Sequence, residues 1–166
     1  IKDNMKNTFE KFKKLGIKTR MFTGDRKEVA KEVANEVGID EYKAEMLPQD
    51  KFNELEKVIE SNKDENYKVA FVGDGINDSP VIARADIGIS MGGVGASSAI
   101  EASDVVIMTH EIEKIITGIR ISKKTNRIIK ENLVFSIGIK ILVLLLTILG
   151  ISDKIGRAHV WTPVTV

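Results

Sequence analysis

Residues 69–80 read VAFVGDGINDSP, and this stretch decides the fold class. Its first four residues form a continuous apolar run, which is typical of a parallel strand that is buried on both faces. The run ends in a turn rich in glycine and aspartate, and Pro80 suits the first turn of a helix. The stretch therefore predicts a strand, a polar loop and a helix, with the loop at the carboxyl end of the strand.

The same alternation of strands and helices continues on both sides of this stretch. Gly16 and Gly38 follow two amphipathic runs and are typical helix stops. Regular alternation of this kind predicts an α/β fold, a parallel sheet with helices on both faces. We expect strands at residues 17–22, 43–46, 69–72, 87–90 and 105–108, and helices at residues 3–15, 26–37, 48–60, 80–84 and 96–102.

The carboxylates of the central loop suggest a metal site. Asp74 and Asp78 are four residues apart on a tight turn, so both can face one hard cation, and Mg²⁺ is the natural candidate. Gly73 and Gly75 would let the backbone approach a phosphate closely. Taken alone, a turn of this composition is more often only a turn.

Composition argues against nucleic acid as a partner and excludes sites that need cysteine. The chain has 25 Lys and Arg against 24 Asp and Glu, so no global field favours nucleic acid as a partner. It has no cysteine, which excludes disulfides and thiolate metal sites within these 166 residues.

The last third of the chain has a different pattern. Residues 111–131 are helical in periodicity with a basic face, and residues 133–151 contain 14 apolar residues in 19. At 1.5 Å per residue the latter span roughly 28 Å, close to the thickness of a bilayer's hydrocarbon core. The basic cluster upstream fits the positive-inside rule, so we expect one membrane crossing with residues 1–132 cytoplasmic. A buried helix of a soluble protein is the alternative.

Three motifs together resemble a known family. With Thr23-Gly24-Asp25 and Lys51, the loop at 73–80 resembles the haloacid dehalogenase-like phosphotransferase core, and GDGINDSP resembles the hinge motif of P-type ATPases. The resemblance covers residues 1–151 and implies a Rossmannoid parallel sheet, present as a partial domain, followed by a long helix that enters a transmembrane span.

The resemblance also implies a role for each motif residue. Thr23 would hold a phosphoryl oxygen, with Gly24 and Asp25 completing its loop, and Lys51 would neutralise the phosphoryl charge. Asp74 and Asp78 would bind Mg²⁺. In addition, Asn77 and Asp78 would complete the polar network, and Gly75 would lie against the phosphate. Taken singly, Thr23 is better explained as a helix cap and Lys51 as a solvated helix residue, and only the combination of motifs favours the functional roles.

The family's acceptor aspartate and its nucleotide-binding domain are not found in this sequence. The acceptor lies in an Asp-Lys-Thr-Gly-Thr motif, which the chain lacks. We therefore expect the chain alone to be inactive, with ATP as the substrate of a longer parent and the missing transmembrane and nucleotide-binding parts as its partners. Ile1 is not a plausible start residue, and residues 155–166 resemble a translated sequencing adapter.

Two residues near the apolar stretch suggest which ion such a parent carries. Asn132 and Lys140 resemble the asparagine and lysine of the seventh membrane helix in heavy-metal pumps for zinc, cadmium and lead. Copper pumps carry a Tyr-Asn pair in this helix, and residues 132–151 contain no tyrosine. An ionisable group inside a membrane is costly, so Lys140 is a candidate functional residue. The resemblance implies that Lys140 is a countercharge near an acidic metal ligand on the next helix, and that Asn132 belongs with it to the transported-ion site.

The sequence thus predicts a fragment of an ATP-driven exporter of Zn²⁺, Cd²⁺ or Pb²⁺ that works through an aspartyl phosphate in a multi-pass membrane protein. The alternatives are a soluble haloacid dehalogenase-like phosphatase, a P-type ATPase of other ion specificity, and a membrane-anchored regulatory module without a nucleophile. The predicted segments are a partial phosphorylation domain at 1–110, a basic connecting helix at 111–132, a transmembrane helix at 133–151 and an artefactual tail at 155–166.

Overall fold

The computed structural model describes residues 4–62, 67–73, 76–92 and 97–149. Helices and strands alternate along these residues as the sequence predicts. The strands are β1 (Arg20–Phe22), β2 (Glu41–Lys43), β3 (Ala70–Gly73), β4 (Ile87–Met91) and β5 (Val105–Ile107). The helices are α1 (Met5–Lys14), α2 (Lys27–Val37), α3 (Pro48–Asn62), α4 (Ser79–Arg84), α5 (Ser97–Glu101) and α6 (Glu113–Ile148), with a 3₁₀ turn at Ile76–Asp78.

Local signals explain where the helices around the first loop begin and end. Gly38 follows α2 with φ of 81°, and its N–H donates to the carbonyl of Ala34 at 2.9 Å. A left-handed residue at this position is nearly free of strain for glycine, so the predicted stop is confirmed. Pro48 begins α3, and the Asp50 carboxylate accepts the N–H of Leu47 at 2.9 Å, which satisfies one donor at the helix start.

Every strand pairing among the described residues is parallel, which confirms the predicted α/β class. β1 pairs with β2 in the register Arg20↔Glu41, whereas β3, β4 and β5 form a second sheet in that order. Among the described residues, β1 and β3 are not hydrogen-bonded to each other. The predicted parallel arrangement is therefore divided into a two-stranded and a three-stranded sheet.

The first two strands differ from their predicted bounds. β1 begins at Arg20 rather than at residue 17, because the N–H and hydroxyl of Thr19 both donate to the Asp40 carboxylate at 2.8 Å. β2 lies at 41–43 rather than 43–46. Glu45 has φ of 58°, a left-handed conformation that cannot continue a strand.

One apolar cluster packs against both sheets. Its buried members Leu55, Ile59 and Val81 come from α3 and α4, and Phe22 of β1 and Phe71 of β3 pack against it. A second cluster of Ile89, Met91 and Ile107 lies on the three-stranded sheet. The two sheets, although not hydrogen-bonded to each other, thus share hydrophobic contacts through α3.

The chain divides into two compact units, residues 1–117 and 118–166. α6 begins in the first unit, and its continuation from residue 118 makes up nearly all of the described part of the second unit. The helix is 36 residues long in all and about 54 Å by helical rise. A window of 18 residues in α6 has a mean hydropathy of 2.0 and is not buried within the chain. This helix is long and apolar enough to cross a membrane.

Candidate active site at the ends of β1 and β3

The Thr23 loop is a tight turn that begins where β1 ends. The Thr23 hydroxyl donates to the Asp25 carboxylate at 2.9 Å and accepts the N–H of Asp25 at 3.1 Å. The Thr23 N–H donates to the Lys43 carbonyl at 3.0 Å, which continues the ladder of β1 and β2 by one residue. The loop is therefore fixed locally by its own threonine and aspartate, a hydrogen-bond pattern that favours turns.

The chain that follows β2 holds this loop from the other side. The Met46 N–H donates to the Thr23 carbonyl at 3.1 Å, and the Glu45 N–H donates to the Asp25 carbonyl at 2.9 Å. A Cβ on Gly24 would lie 3.3 Å from the Met46 carbonyl oxygen, so this position favours glycine. The sequence did not predict this contact, because main-chain donors leave no trace in residue identity.

Lys51 and Asp78 form an ion pair between the first turn of α3 and the 3₁₀ turn that follows β3. The Lys51 Nζ lies 2.9 Å from Asp78 Oδ1, and the two side chains are 19% and 14% exposed. Charge-assisted hydrogen bonds between partly buried groups are stronger than those on an open surface. The structure therefore brings together two of the predicted site residues from segments 27 positions apart.

The Asp78 carboxylate lies against the end of β3. A Cβ added to Gly73 would be 3.0 Å from the Asp78 Cβ and 3.3 Å from its Oδ2. Glycine at this position leaves the space that the Asp78 side chain occupies. Asn77 is exposed and borders a shallow groove of about 220 Å³ between α3 and α4, whose other lining residues are Pro48, Gln49, Phe52, Pro80 and Val81.

Asp74 and Gly75, the predicted metal ligand and phosphate-side glycine, lie outside the described residues. Within the described ranges no group of three His, Cys, Asp or Glu side chains is placed to hold a metal ion. The donor chemistry still fits magnesium, which prefers oxygen ligands and keeps several waters, so that one or two carboxylates are enough. Asp78 has a carboxylate of this kind. It lies beside Gly73, the last residue of β3, and Asp74 is the next residue in the sequence.

The Thr23 loop and the Lys51–Asp78 pair are not joined by a hydrogen bond among the described residues. Each lies immediately next to the shared apolar cluster, however. Thr23 follows Phe22, which packs against that cluster, and Lys51 is one turn before Leu55, which belongs to it. The two parts of the predicted site thus lie beside the same core.

Asn132 and Lys140 lie on α6 in the second unit, and both side chains are exposed there. Eight residues separate them in sequence number, which places them about 12 Å apart along the axis and about 80° apart around it. Their predicted role in ion selection stays a prediction.

Two carboxylates outside the candidate site stabilise strand starts. Asp86 accepts the N–H of Val69 at 2.9 Å and pairs with Lys68, and these contacts lower the pKa of Asp86. The bonds from Thr19 likewise lower the pKa of Asp40. In both cases a backbone hydrogen bond to the ionised carboxylate is the largest cause of the lowered pKa.

Comparison with known proteins identifies the class of the chain. Residues 1–86 match the haloacid dehalogenase-like hydrolase family, and the chain belongs to that family. The relatives that match over most of the chain are named as metal-transporting ATPases. The chain is 44% identical to a zinc-transporting ATPase of Synechocystis sp., over 92% of the chain and 21% of the relative. It is 46% identical to a cadmium, zinc and cobalt-transporting ATPase of Bacillus subtilis, over 92% of the chain and 22% of the relative.

Solved structures agree with these relatives. A zinc-transporting PIB-type ATPase in the E2.Pi state matches with a TM-score of 0.79 and 31% identity, over 91% of this chain and 24% of that one. A phosphoserine phosphatase matches with a TM-score of 0.56 at 19% identity, a likeness of fold alone. The chain spans about a fifth of the length of the curated relatives it matches.

Proposed function

We propose that this chain is the catalytic and membrane-entry part of an ATP-driven exporter of Zn²⁺, Cd²⁺ or Pb²⁺. The observation that carries the proposal is the Lys51–Asp78 pair, 2.9 Å apart beside Gly73 at the end of a parallel strand. This pair occurs in a chain that also has an apolar helix long enough to span a bilayer. The relatives that match over most of the chain are named as zinc- and cadmium-transporting ATPases.

The residues of the site would stabilise a phosphoryl group attached to a carboxylate. In phosphoryl transfer, negative charge spreads over the equatorial oxygens, and preorganised donors and cations stabilise that charge. The Thr23 hydroxyl and the N–H groups of its loop would hold one of these oxygens. Lys51 would neutralise the charge, and Asp78 would hold the ammonium in place until the phosphoryl group arrives.

Magnesium would be held by Asp74 together with Asp78, and it would supply a divalent counterion for the phosphoryl oxygens. Gly73 and Gly75 would keep the backbone of this loop free of side chains beside the phosphate. Asn77 would orient the loop from the groove next to α3. ATP would be the phosphoryl donor of the longer protein, bound by parts that this sequence lacks.

The acceptor aspartate would come from another segment of the longer protein. Within the described part of the chain, β1 pairs only with β2, and β3 pairs only with β4, so both strands have an edge without a strand partner. Both also pack on the same apolar cluster. We propose that a strand carrying the acceptor completes the sheet at these edges, which would bring the acceptor to the level of Thr23 and Asp78.

The membrane part of the proposal concerns α6. Residues 133–151 would cross the bilayer, and residues 1–132 would lie in the cytoplasm, because the cationic residues precede the apolar stretch. Lys140, about 10 Å inside the span, would serve as a countercharge near the transported divalent metal, and Asn132 would belong to the same ion site from the cytoplasmic end of the span. One relative is named as a cobalt-transporting as well as a zinc- and cadmium-transporting ATPase, so another divalent ion is the alternative.

The test uses the full-length parent, with Asp74→Ala compared with Glu36→Ala. Glu36 is exposed on α2 and forms no ion pair among the described residues, so its replacement removes a carboxylate without touching the site. We expect Asp74→Ala to abolish Zn²⁺-stimulated ATP turnover and Glu36→Ala to preserve it. Normal turnover by the Asp74 variant would refute its assigned role.

A second variant tests the ion assignment separately. Lys140→Ala should weaken discrimination among Zn²⁺, Cd²⁺ and Pb²⁺ while the cytoplasmic unit remains folded. Unchanged transport of every metal would remove the basis for assigning Lys140 to ion selection, and it would leave the phosphoryl-transfer proposal intact. A parent that hydrolyses small phosphate esters without any metal stimulation would instead support a phosphatase.

A further inference from the structure

The first part of α6 carries a basic face, which we define by five side chains. All five are exposed, and four of them form no ion pair within the described ranges of the chain. The fifth, Arg127, pairs with Glu131 at 2.7 Å. The members of the basic face are Arg120, Lys123, Lys124, Arg127 and Lys130.

Helical geometry places these five cations on one side. At 100° per residue they fall within about 120° of arc, and Lys130 lies about 15 Å along the helix axis from Arg120. Glu131, the residue directly after Lys130, is the one carboxylate between positions 120 and 131, and it lies on the same arc. Ile121, Ile128 and Ile129 lie outside the arc, so the helix is amphipathic just before its apolar part.

The basic face ends immediately before the apolar stretch. Lys130 is three residues from Leu133, about 4.5 Å along the axis, and Arg127 is about 9 Å away. The headgroup layer of a bilayer is about 5 to 7 Å thick on each side, and lysine and arginine stems extend their charges toward it. These two cations would therefore lie within or next to the headgroups if residues 133–151 cross the membrane.

We propose that the basic face binds the anionic headgroups of the bilayer surface. The proposal rests on the membrane crossing of the proposed function and adds the kind of lipid that the crossing helix selects. Clustered cations directly cytoplasmic of a transmembrane helix attract anionic lipid, and the attraction decays within a Debye length of about 8 Å at physiological salt. Lys130, which is near Leu133 and forms no ion pair among the described residues, should therefore contribute most, and Arg120, about 20 Å from Leu133, should contribute least.

Nucleic acid is the competing polyanion, and the observations favour lipid. The chain as a whole is nearly neutral, with 25 basic against 24 acidic residues, so it has no extended field that would attract a long polyanion. The cations are instead concentrated on one helix face that continues without a break into the apolar stretch. A lipid surface presents the same order of layers, anionic headgroups followed by hydrocarbon.

The test measures lipid selectivity of the whole 166-residue chain reconstituted into phosphatidylcholine vesicles. Spin-labelled phosphatidylglycerol and spin-labelled phosphatidylcholine are added in trace amounts, and the motionally restricted fraction of each is compared by electron paramagnetic resonance. We expect phosphatidylglycerol to be enriched at least about threefold at low salt, with the enrichment falling toward onefold in 1 M salt.

A charge-matched pair of variants locates the effect. Replacing the basic face by glutamine should abolish the enrichment, whereas removing five exposed lysines from the first unit should preserve it. Lys130→Gln alone should reduce it more than Arg120→Gln. The test substitutions are Arg120, Lys123, Lys124, Arg127 and Lys130→Gln, and the control substitutions are Lys6, Lys13, Lys14, Lys27 and Lys31→Gln.

The possible failures are distinguishable. If alkaline carbonate extracts the unmodified chain from the vesicles, the proposed membrane crossing is wrong. If the chain stays in the bilayer but restricts both lipids equally, the crossing stands and the basic face does not select anionic lipid. Binding of a short DNA duplex that depends on the five cations, without any lipid selectivity, would also overturn the proposal.

Discussion

The Nζ of Lys51 lies 2.9 Å from Oδ1 of Asp78, and the pair joins α3 to the turn that follows β3. Both residues belong to motifs that the sequence assigns to phosphoryl transfer, and here each is the other's partner. A lysine held in this way is oriented before any phosphoryl group is present. Preorganisation of this kind reduces the reorganisation needed when charge develops in a transition state.

The first prediction concerns the energetic coupling of this pair. Lys51→Met and Asp78→Ala should each lower the free energy of unfolding by about 1 to 2 kcal/mol, because each leaves a partly buried partner without its hydrogen bond. The double variant should be less destabilised than the sum, with a coupling of about 1 kcal/mol. Pulse proteolysis in urea provides the measurement, and full additivity would contradict a direct interaction.

The exposed pair Lys57–Glu54 is the matched control for that experiment. Its nitrogen and oxygen are 2.7 Å apart, but the Lys57 side chain is 68% exposed. Solvent screens such pairs, so the same double-variant cycle should give a coupling below about 0.5 kcal/mol. A control coupling as large as that of Lys51 and Asp78 would show that partial burial does not strengthen the Lys51–Asp78 pair.

The second prediction concerns Gly88 in β4. A Cβ at this position would lie 2.6 Å from the carbonyl oxygen of Ile82 and 2.8 Å from its Cγ2, and Ile82 is fully buried. Gly88→Ala should destabilise the first unit by about 2 to 3 kcal/mol, because backbone must move to admit the methyl group. Gly118→Ala, in open space on α6, should cause no loss. Wild-type stability of the Gly88 variant would contradict the packing described.

The third prediction concerns the left-handed Glu45, whose N–H donates to the Thr23 loop. Its φ of 58° costs a residue with a Cβ about 1 kcal/mol, which glycine avoids. Glu45→Gly should therefore be neutral or stabilise by up to about 1 kcal/mol, whereas Glu32→Gly, exposed in the middle of α2, should destabilise by about that amount. Opposite signs in urea unfolding are the expected result; equal losses at both positions would argue against the left-handed conformation.

The fourth prediction concerns pH. The Val69 N–H and Lys68 hold the pKa of Asp86 below its unfolded value of about 3.9. Because the folded pKa is the lower one, the stabilisation is complete above the unfolded value and is lost as pH falls through the folded pKa. Asp86→Asn should cost roughly 1 kcal/mol at pH 7, and the difference from wild type should shrink below pH 4. A difference that is constant from pH 7 to pH 3 would exclude this linkage.

Periodicity and turn chemistry predicted most of the fold. The apolar run before Gly73 predicted β3, Pro48 predicted the start of α3, and Gly38 predicted the end of α2. These signals are local, so no knowledge of the tertiary structure was needed. The parallel pairing followed from the alternation of strands and helices, which the relatives and the strand register confirm.

The differences arise where tertiary contacts override local pattern. β2 is displaced because residues 44–46 turn back to donate hydrogen bonds to the Thr23 loop. β1 is shortened because Asp40, 21 residues away, takes both donors of Thr19. The division into two sheets could not be predicted from local sequence either, because strand pairing depends on contacts between segments that are distant in the sequence.

The sequence predicted which residues belong to the candidate site more completely than it predicted their contacts. The sequence motifs indicated Lys51 and Asp78 but not that they contact each other. The roles of Thr23 and Asn77 stay predictions, and so do those of Asn132 and Lys140, because no phosphoryl group or transported metal tests them here. The segmentation of residues 111–151 into connecting and spanning parts also stays a prediction, although one continuous helix covers residues 113–148. Asp74, Gly75 and the tail at 155–166 lie outside the described residues.

The most direct measurement is a crystal structure of the full-length parent with Mg²⁺ and a fluoride analogue of the phosphoryl group. We expect the analogue on the acceptor aspartate, with Thr23 Oγ1 and Lys51 Nζ within about 3 Å of it. An Asp74 oxygen should lie about 2.1 Å from the metal. An analogue bound elsewhere, with Thr23, Lys51 and Asp74 facing separate regions, would contradict the account.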